Sequence, residues 1–433
     1  MKRRFRILSS YRSVCLTALA AVMLACSGCA PRQKPGVEIE FWTLQLSPAF
    51  DDYFHTLIRT YERAHPGVTV RWVDVPYDAA IQKLMASAAA GNAPDCVNLS
   101  ADFLAKFHGM GALADLTTDV KRAPFTYLPN ALELCTFDHR IEALPWYLNT
   151  YILIYNRSRL EEGGFTREDL PTTFGELVRF IRRYKERTGK FAAFWNIGKD
   201  SYLPMMLESE GVMMADSSLR HAAFNSERGI ALVDEWVRLY RDGCLQSESI
   251  MKPGSMIVES YQSGQTAMMF TGPVFLRRIK TNAPSIYRST DVAPVVTGRT
   301  GKHELAAMAV SVLSTSKHRK EAAEFALFLT NPENQLAFAK LTTTYPSVKE
   351  AYRDTFFTRG DGTLEARGRV LGARELPSAG RLRAYLQHPE FDRLRDAFDE
   401  AIQHACLGTM TTKEALDRAA SEWNDILSST PVY

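Results

Sequence analysis

Between residues 37 and 108 the sequence alternates regularly between short apolar segments and longer amphipathic ones, and this alternation limits the fold more than any other feature. The short segments have the apolar pattern of strands, and each is followed by apolar residues at helical spacing. In chain order the segments are Val37–Trp42, Asp51–His65, Val68–Trp72, Asp78–Ala90, Cys96–Leu99 and Asp102–His108. The order β-α-β-α-β-α predicts a parallel sheet with crossover helices, and therefore an α/β protein.

A second series of elements follows Pro145-Trp146-Tyr147. Its predicted strands are Tyr151–Tyr155, Phe191–Ile197, Gly264–Phe270 and Ala306–Leu313, and its predicted helices are Thr173–Lys190, Glu227–Asp242, Lys317–Leu329 and, with a break near Gly408, Phe391–Leu427. Thr173 and Glu176 have the spacing of a capping box. Because a chain of about 400 residues exceeds what one hydrophobic core holds, we expect two lobes.

The first 28 residues have the pattern of an export signal. A basic head without acidic residues precedes the apolar stretch Val14–Ala25, which is too short for an ordinary membrane-spanning helix. Ser27-Gly28-Cys29 is similar to the lipobox of bacterial lipoproteins, although Cys26 stands where that motif usually has Leu. We predict a lipid on Cys29 and a tether over residues 29–36. Lipidation of Cys26 and a cleaved signal without lipid are the alternatives.

The charge of the chain excludes one class of partner. The five basic residues of the leader account for its apparent basicity, because the remaining 47 Lys and Arg residues face 49 Asp and Glu residues. This balance gives no indication of nucleic-acid binding. No later segment is long and apolar enough to span a bilayer, so we expect the only membrane contact to be the N-terminal lipid.

The sequence lacks the cysteine and histidine spacings of metal sites and the common motifs of catalytic sites. Cys96, Cys135, Cys244 and Cys406 form no C-x-x-C pair and have no His at ligand spacing, so no metal or other cofactor is indicated. Burial as small apolar side chains is the favoured interpretation, and disulfides remain open. No nucleophile-elbow, zincin, P-loop or dinucleotide-binding motif occurs. We therefore predict no enzyme activity, with a lipid-anchored carbohydrate-active hydrolase as the alternative class.

Several short motifs in a fixed order resemble those of one family. They are Phe41-Trp42-Thr43, Ala93-Pro94-Asp95-Cys96-Val97, Leu144-Pro145-Trp146-Tyr147 with Ile154-Tyr155-Asn156, Gly264-Gln265-Thr266-Ala267-Met268, and Glu321 to Thr330 after Ser316-Lys317. Together they resemble the family-1 extracellular solute-binding proteins of bacterial ABC importers, which are of the maltose-binding-protein type. The chain departs from the usual family residues at Ala306-Ala307, at Pro273 and around Thr344-Tyr345-Pro346.

The resemblance implies a two-lobe periplasmic-binding-protein-like fold of type II, with a ligand cleft between lobes joined by crossing strands. The crossings are expected near Tyr147–Asn156 and Glu304–Ser311. The first lobe would comprise residues 37–146 and 304–345, and the second residues 147–303 and 346–433. The protein is then expected to be an extracytoplasmic, lipid-anchored monomer that delivers a sugar or polyol to permease subunits, with glycerol phosphate or another small solute as the alternative ligand.

A sugar site needs aromatic planes for stacking and polar groups for hydroxyls, and such residues are expected at strand ends. The ligand-binding candidates are Trp42, Gln45, Asp95, Asn98, Trp146, Tyr147, Trp195, Gly272 and Tyr345. Asp95 could equally bind backbone amides, and Gly272 could equally serve a tight turn. Trp72, Trp236 and Trp423 follow apolar stripes and are expected in the core. Arg157 is the one suggestively placed cation for a phosphate ligand.

Overall fold

The computed structural model describes residues 36–251, 256–382, 388 and 390–429, except for the side chains of Asp78 and Asp102. The predicted signal, the tether up to residue 35 and the lipidation of Cys29 lie outside these residues. In the described part of the chain, no helix has both the length and the apolar composition needed to cross a membrane.

Strands and helices alternate through most of the chain. The strands are β1 (Val37–Leu44), β2 (Val68–Val75), β3 (Cys96–Ser100), β4 (Thr136–Phe137), β5 (Arg140–Ile141), β6 (Leu144–Thr150), β7 (Ile152–Asn156), β8 (Phe191–Ala193), β9 (Thr266–Thr271), β10 (Thr290–Ala293), β11 (His303–Val312), β12 (Tyr345–Pro346) and β13 (Ala379–Gly380). The helices are α1 (Asp51–Ala64), α2 (Ala80–Ala89), α3 (Ala101–Gly109), α4 (Thr117–Arg122), α5 (Pro129–Glu133), α6 (Arg157–Glu162), α7 (Phe174–Thr188), α8 (Leu203–Ser209), α9 (Glu227–Arg241), α10 (Met256–Gln262), α11 (Phe275–Asn282), α12 (Pro284–Arg288), α13 (Arg319–Leu329), α14 (Pro332–Thr342), α15 (Leu364–Glu375), α16 (Phe391–Leu407) and α17 (Thr412–Ser429).

The first sheet has the order β12-β6-β11-β3-β1-β2, and β13 pairs with β11. Strand β1 pairs in parallel with both β2 and β3, which confirms the parallel arrangement predicted for the start of the chain. Helix α1 buries Phe54, Leu57, Ile58 and Tyr61, the stripe visible in the sequence. Strand β11 runs antiparallel to β3 and β6, so this sheet is mixed, and the α/β fold class is confirmed.

The second sheet has the order β10-β7-β9-β8. Helix α7 packs beside it and begins with the predicted capping box, in which the Thr173 hydroxyl accepts from the Glu176 N–H and the Glu176 carboxylate accepts from the Thr173 N–H. The predicted strand Phe191–Ile197 is shorter than expected, because β8 ends at Ala193 and Trp195 lies in the loop that follows. The C-terminal helices α16 and α17 complete this core, in which Trp236 and Trp423 are buried as predicted.

In the described chain, a strand of one sheet is followed by a strand of the other at two places. Tyr151 alone separates β6 of the first sheet from β7 of the second, inside the predicted crossing Tyr147–Asn156. The return lies in residues 294–302, between β10 and β11, and so precedes the predicted crossing Glu304–Ser311. The lobe boundaries stay a prediction. The first sheet continues to Thr150 in β6, beyond the predicted boundary at residue 146, and its core includes Val348 and Ala351, beyond the predicted boundary at residue 345.

Four cysteines are described, and all four are buried and unpaired, in agreement with their interpretation as small apolar residues. Cys96 donates to the Ala322 carbonyl oxygen at 3.3 Å. Burial raises the pKa of the Cys135 and Cys406 thiols to about 12, which keeps both protonated at neutral pH.

Trp146 is at the centre of the first core rather than in a cleft. Its side chain is 0% exposed, stacks on Phe338 at a ring-centroid distance of 5.1 Å and meets the Phe54 ring edge-on at 5.9 Å. This placement does not support the direct contact between the indole and a ligand that was expected from the sequence. Trp146 occupies a position on β6 whose side chain points into the core, one residue away from the positions that face the cleft.

We expect Trp146→Ala to lower the free energy of unfolding by about 3–5 kcal/mol, because the substitution removes a buried indole and leaves a cavity. Chemical denaturation of the ligand-free protein measures this change. Trp146→Phe, which keeps a ring against Phe338, should cost clearly less. Unchanged stability of Trp146→Ala together with weaker ligand binding would contradict the core assignment.

Candidate ligand-binding cleft

A cavity of about 390 Å³ lies against the first sheet, beside the crossing residue Tyr151, and is within the usual size range of small-molecule sites. The first sheet contributes the end of β3, the second half of β6 and the first half of β11. The crossing residue Tyr151 and the segment Arg381–Leu382 after β13 also line the cavity. The cavity therefore adjoins the first of the two chain crossings.

Aromatic rings and polar groups alternate along one edge of this cleft. Tyr147, Asn149 and Tyr151 line the cavity, whereas Trp146 before Tyr147 and Leu148 after it are fully buried. This follows from the period of a strand, since alternate side chains point to opposite faces. Strand β6 thus places one set of residues in the core and the other in the cleft.

Tyr147 is fixed in place by the core behind it. Its ring packs edge-on against Trp146 at a centroid distance of 5.0 Å and in a tilted arrangement against Phe338 at 5.3 Å. Burial raises the pKa of the Tyr147 hydroxyl well above its usual range, so the hydroxyl keeps its proton and can both donate and accept. Tyr77 and Phe137 add two further rings to the cavity wall, and Tyr77 is 38% exposed.

Two polar atoms of the cleft are buried without a hydrogen-bond partner among the described residues: Ser100 Oγ and Asn149 Oδ1. Buried polar atoms in native proteins are nearly always paired, so such atoms in a cavity wall indicate where a ligand or a water binds. Ser100 is the last residue of β3, at the carboxyl end of a strand in the parallel part of the sheet. α/β sheets commonly bind ligands at this end.

Gly272 sets the position of the Asn149 carboxamide. A Cβ atom at Gly272 would lie 2.3 Å from both Asn149 Nδ2 and Asn149 Oδ1, so only glycine leaves room for the amide. Gly272 was predicted to let backbone approach ligand. The structure shows that the close approach is instead to the side chain that faces the cavity.

One acidic and one basic residue line the cleft, Glu304 and Arg381. Glu304 is 6% exposed, and the Arg381 guanidinium donates to the backbone oxygen of Glu133. Burial lowers the pKa of Arg381, while the nearby carboxylates of Glu133 and Glu304 act in the opposite direction. The formal charges of the wall therefore cancel.

The predicted site residues differ in where the structure places them. Tyr147 lines the cleft, Gly272 supports it, and Trp195 lines a smaller cavity that adjoins it. Tyr345 is fully buried, and its hydroxyl donates to the Arg369 backbone oxygen at 2.9 Å, a placement that does not support its predicted contact with ligand. The neighbouring Thr344 lines the cavity instead.

The remaining candidates hold the first lobe together. Trp42 is buried, with its indole N–H 2.6 Å from Glu40 Oε1. Asp95 binds a backbone amide, which was the alternative to ligand binding in the sequence analysis. Its carboxylate accepts from the Glu40 backbone N–H at 2.9 Å and from the Ser316 hydroxyl at 2.5 Å. It precedes β3, at the opposite end of that strand from Ser100.

Three further residues lie outside the cleft. Asn98 is fully buried and donates to the Ala309 carbonyl oxygen at 3.1 Å, which ties β3 to β11. Gln45 is exposed after the end of β1, with φ of 54°. Arg157 donates to the Arg288 backbone oxygen at 3.1 Å. The positions of Asn98, Gln45 and Arg157 do not support direct contact with a ligand in the cleft. The same holds for the buried Trp42.

Sequence reasoning missed most of the cavity wall. The missed lining residues include Tyr77, Ser100, Phe137, Asn149, Tyr151, Glu304 and Arg381. The alternation Tyr147-x-Asn149-x-Tyr151 is a signal that pointed to three cleft residues at once. No comparable signal exists for Glu304 and Arg381, because they are far apart in sequence. Among the described residues, no three His, Cys, Asp or Glu side chains are grouped to hold a metal ion.

Residues 56–362 match the family model of bacterial extracellular solute-binding proteins. The match covers more than half of the chain, so the chain belongs to this family of ABC-importer binding proteins, and the resemblance seen in the sequence is confirmed. The family consists of binding proteins and not of enzymes, which also confirms the prediction of no catalysis.

Individual relatives are similar over nearly their whole length. The galactooligosaccharide-binding protein of Bacillus subtilis is 23% identical, over 93% of this chain and 94% of its own. A lipoprotein of Streptomyces antibioticus is 25% identical over 91% of each chain. A Synechococcus protein assigned as an oligosaccharide periplasmic-binding protein is 32% identical, with a TM-score of 0.82 over 91% of this chain and all of that chain.

We expect Gly272→Ala to weaken ligand binding about tenfold, because the added methyl displaces Asn149 and costs a buried hydrogen bond. Isothermal titration with the bound solute measures the loss. Gly360→Ala is the matched control, since a Cβ there meets only ordinary contacts. If Gly272 acts through Asn149, Asn149→Ala and the double variant should bind equally. Additive losses would contradict this coupling.

Proposed function

We propose that the cleft binds a mono- or oligosaccharide or a related polyol and that the protein delivers it to the permease of an ABC importer. The combination of aromatic rings with unpartnered polar atoms carries this proposal. Tyr77, Tyr147 and Tyr151 offer flat faces for the C–H surface of a sugar ring. Ser100 Oγ and Asn149 Oδ1 offer hydrogen bonds to its hydroxyls.

The charges of the wall favour a neutral ligand over a phosphorylated one. A phosphate group binds best where several cationic donors converge. The described wall has Arg381 as its cation, with Glu304 offsetting it, and Arg157 lies elsewhere. The names of the Bacillus and Synechococcus relatives, which refer to oligosaccharides, support the same ligand class.

Closure of the two lobes is proposed to link binding to delivery. The single-residue crossing at Tyr151 joins the sheets and lines the cleft at the same point. A ligand bound next to Tyr151 would contact both lobes and would therefore favour their closed arrangement. The closed arrangement is the form that a permease would recognise.

We expect the binding sugar to raise the melting temperature of the protein and to be recovered intact, because it binds the folded state without being transformed. Thermal-shift screening against sugars and polyols, followed by mass spectrometry of the ligand, measures both properties. Tyr147→Ala should weaken binding, whereas Tyr240→Ala, which removes a ring outside the cleft, should not. Formation of a product, or stabilisation by a phosphate ester alone, would refute the proposal.

We also propose that Cys29 carries the lipid anchor that holds the receptor near its permease. The lipobox-like Ser27-Gly28-Cys29 supports this, as does the lipoprotein among the relatives. Cys29→Ser should move the protein from the membrane fraction to the soluble fraction, measured by fractionation and by the mass of the mature N-terminus. Cys26→Ser is the control and should leave the distribution unchanged. The reverse result would assign the lipid to Cys26.

A further inference from the structure

A smaller cavity, here called the alcove, adjoins the cleft on the side of the second sheet. Tyr151, Glu304 and Leu382 line both cavities, so the alcove lies directly beside the cleft. The free volume of the alcove is about 20 Å³. A cavity of this size holds one small group, since a single water needs about 10–15 Å³ by the same measure.

The alcove wall is mostly aromatic and aliphatic. Phe174, Trp195, Tyr202, Phe270, Val295 and Val296 form most of it. The Trp195 ring stacks on Trp236 at 4.8 Å and meets Phe270 and Tyr202 edge-on at 5.3 and 5.6 Å. Contacts on both its face and its edges hold this indole in one orientation. The alcove is therefore a rigid apolar recess.

One residue that lines this recess has a buried donor without a partner. Trp195 is 2% exposed, and its Nε1 is the only buried side-chain polar atom without a hydrogen bond among the described residues that line the alcove. Ser209 is already paired, since its hydroxyl donates to the Lys302 oxygen at 2.6 Å and accepts from the Gly298 N–H at 2.8 Å. His303 Nε2 lies 3.0 Å from the Glu375 backbone oxygen and is engaged there.

The alcove thus combines three properties: an apolar recess for one small group, a lining tryptophan whose buried N–H has no partner, and a lining glutamate that also borders the cleft. A hydroxyl suits the recess poorly, because it would lose hydration there. An acetamido group matches all three properties. Its methyl is apolar, its carbonyl oxygen accepts, and its N–H donates.

We propose that the sugar recognised by this protein carries an acetamido group, with the methyl group in the alcove, the carbonyl oxygen on Trp195 Nε1 and the amide N–H directed at Glu304. This inference rests on the proposed function, because it places the sugar ring in the cleft. It names a narrower substrate class, that of N-acetylated amino sugars and oligosaccharides that contain them.

The test compares matched sugars that differ only in this group. Isothermal titration of the wild-type protein with glucose and N-acetylglucosamine, and with galactose and N-acetylgalactosamine, should show at least about tenfold tighter binding of one acetylated member. Two hydrogen bonds and a buried methyl group account for a difference of that size. N-butanoylglucosamine should lose most of this advantage, because its longer chain exceeds the alcove.

Trp195→Phe tests the indole donor. Phenylalanine keeps an aromatic ring against Trp236 but removes the N–H, so the preference for the acetylated sugar should fall several-fold while the affinity for the plain sugar is kept. Trp236→Phe is the matched control, because it alters the same stacked pair outside the alcove and should leave the preference unchanged. If Trp195→Phe does not fold, the wild-type comparison of acetyl and butanoyl sugars still decides.

The possible failures are distinguishable. If no sugar of either kind binds, the proposed function fails, and this inference fails with it. If plain sugars bind as tightly as acetylated ones, the receptor function stands and the acetamido assignment is overturned. Tighter binding of glucosamine than of N-acetylglucosamine overturns it as well, since Glu304 would then bind a cation. So does a crystal structure in which the acetyl group points away from Trp195 and a water occupies the alcove.

Discussion

The pairing of β6 with β11 is the constraint on which the rest of the structure depends. These antiparallel strands lie next to each other in the first sheet, and both contribute residues to the cleft. The register is irregular between Met308 and Ala309, so that Ala309 pairs with Pro145. A proline cannot donate to the strand ladder, and such positions are often accommodated at bulges. Beyond this point Tyr147 pairs with Met308 and Asn149 with Ala306, all four facing or lining the cavity.

The same strand serves stability and recognition through its two faces. Trp146 and Leu148 fill the core on one side, while Tyr147 and Asn149 line the cleft on the other. The rings behind Tyr147 therefore position a ligand-facing residue as a consequence of packing. Gly272, which follows β9 of the second sheet, also positions a residue that lines the cleft. Because Gly272 has no side chain, there is room for the Asn149 carboxamide beside it. Strand β6 therefore contributes to both folding and recognition. Substitutions on its core face are expected to change the free energy of unfolding, and substitutions on its cleft face are expected to change ligand affinity.

Much of the fold was predictable because local patterns agree with it. The strand–helix order of the first lobe, the buried stripe of α1 and the capping box of α7 all follow from short-range spacing. Trp236 and Trp423 are core residues, as their helical stripes predicted. The cleft was less predictable. Trp146 and Tyr147 are neighbours in one motif, and only the direction of the strand face separates a core residue from a ligand-facing one. Asp95 was correctly placed beside a strand, but at the end away from the cleft.

The sequence by itself determined the family and the α/β class and predicted an export signal, because each depends on the order and composition of neighbouring residues. Tertiary structure decided which side chains meet. Glu304 and Arg381, 77 positions apart by their numbering, line one cavity because β11 and the segment after β13 converge there. Trp195 reaches the alcove because β8 ends early and the following loop turns its indole toward Trp236 and Phe270. Contacts between distant segments depend on how the sheets pack, and no local spacing encodes them.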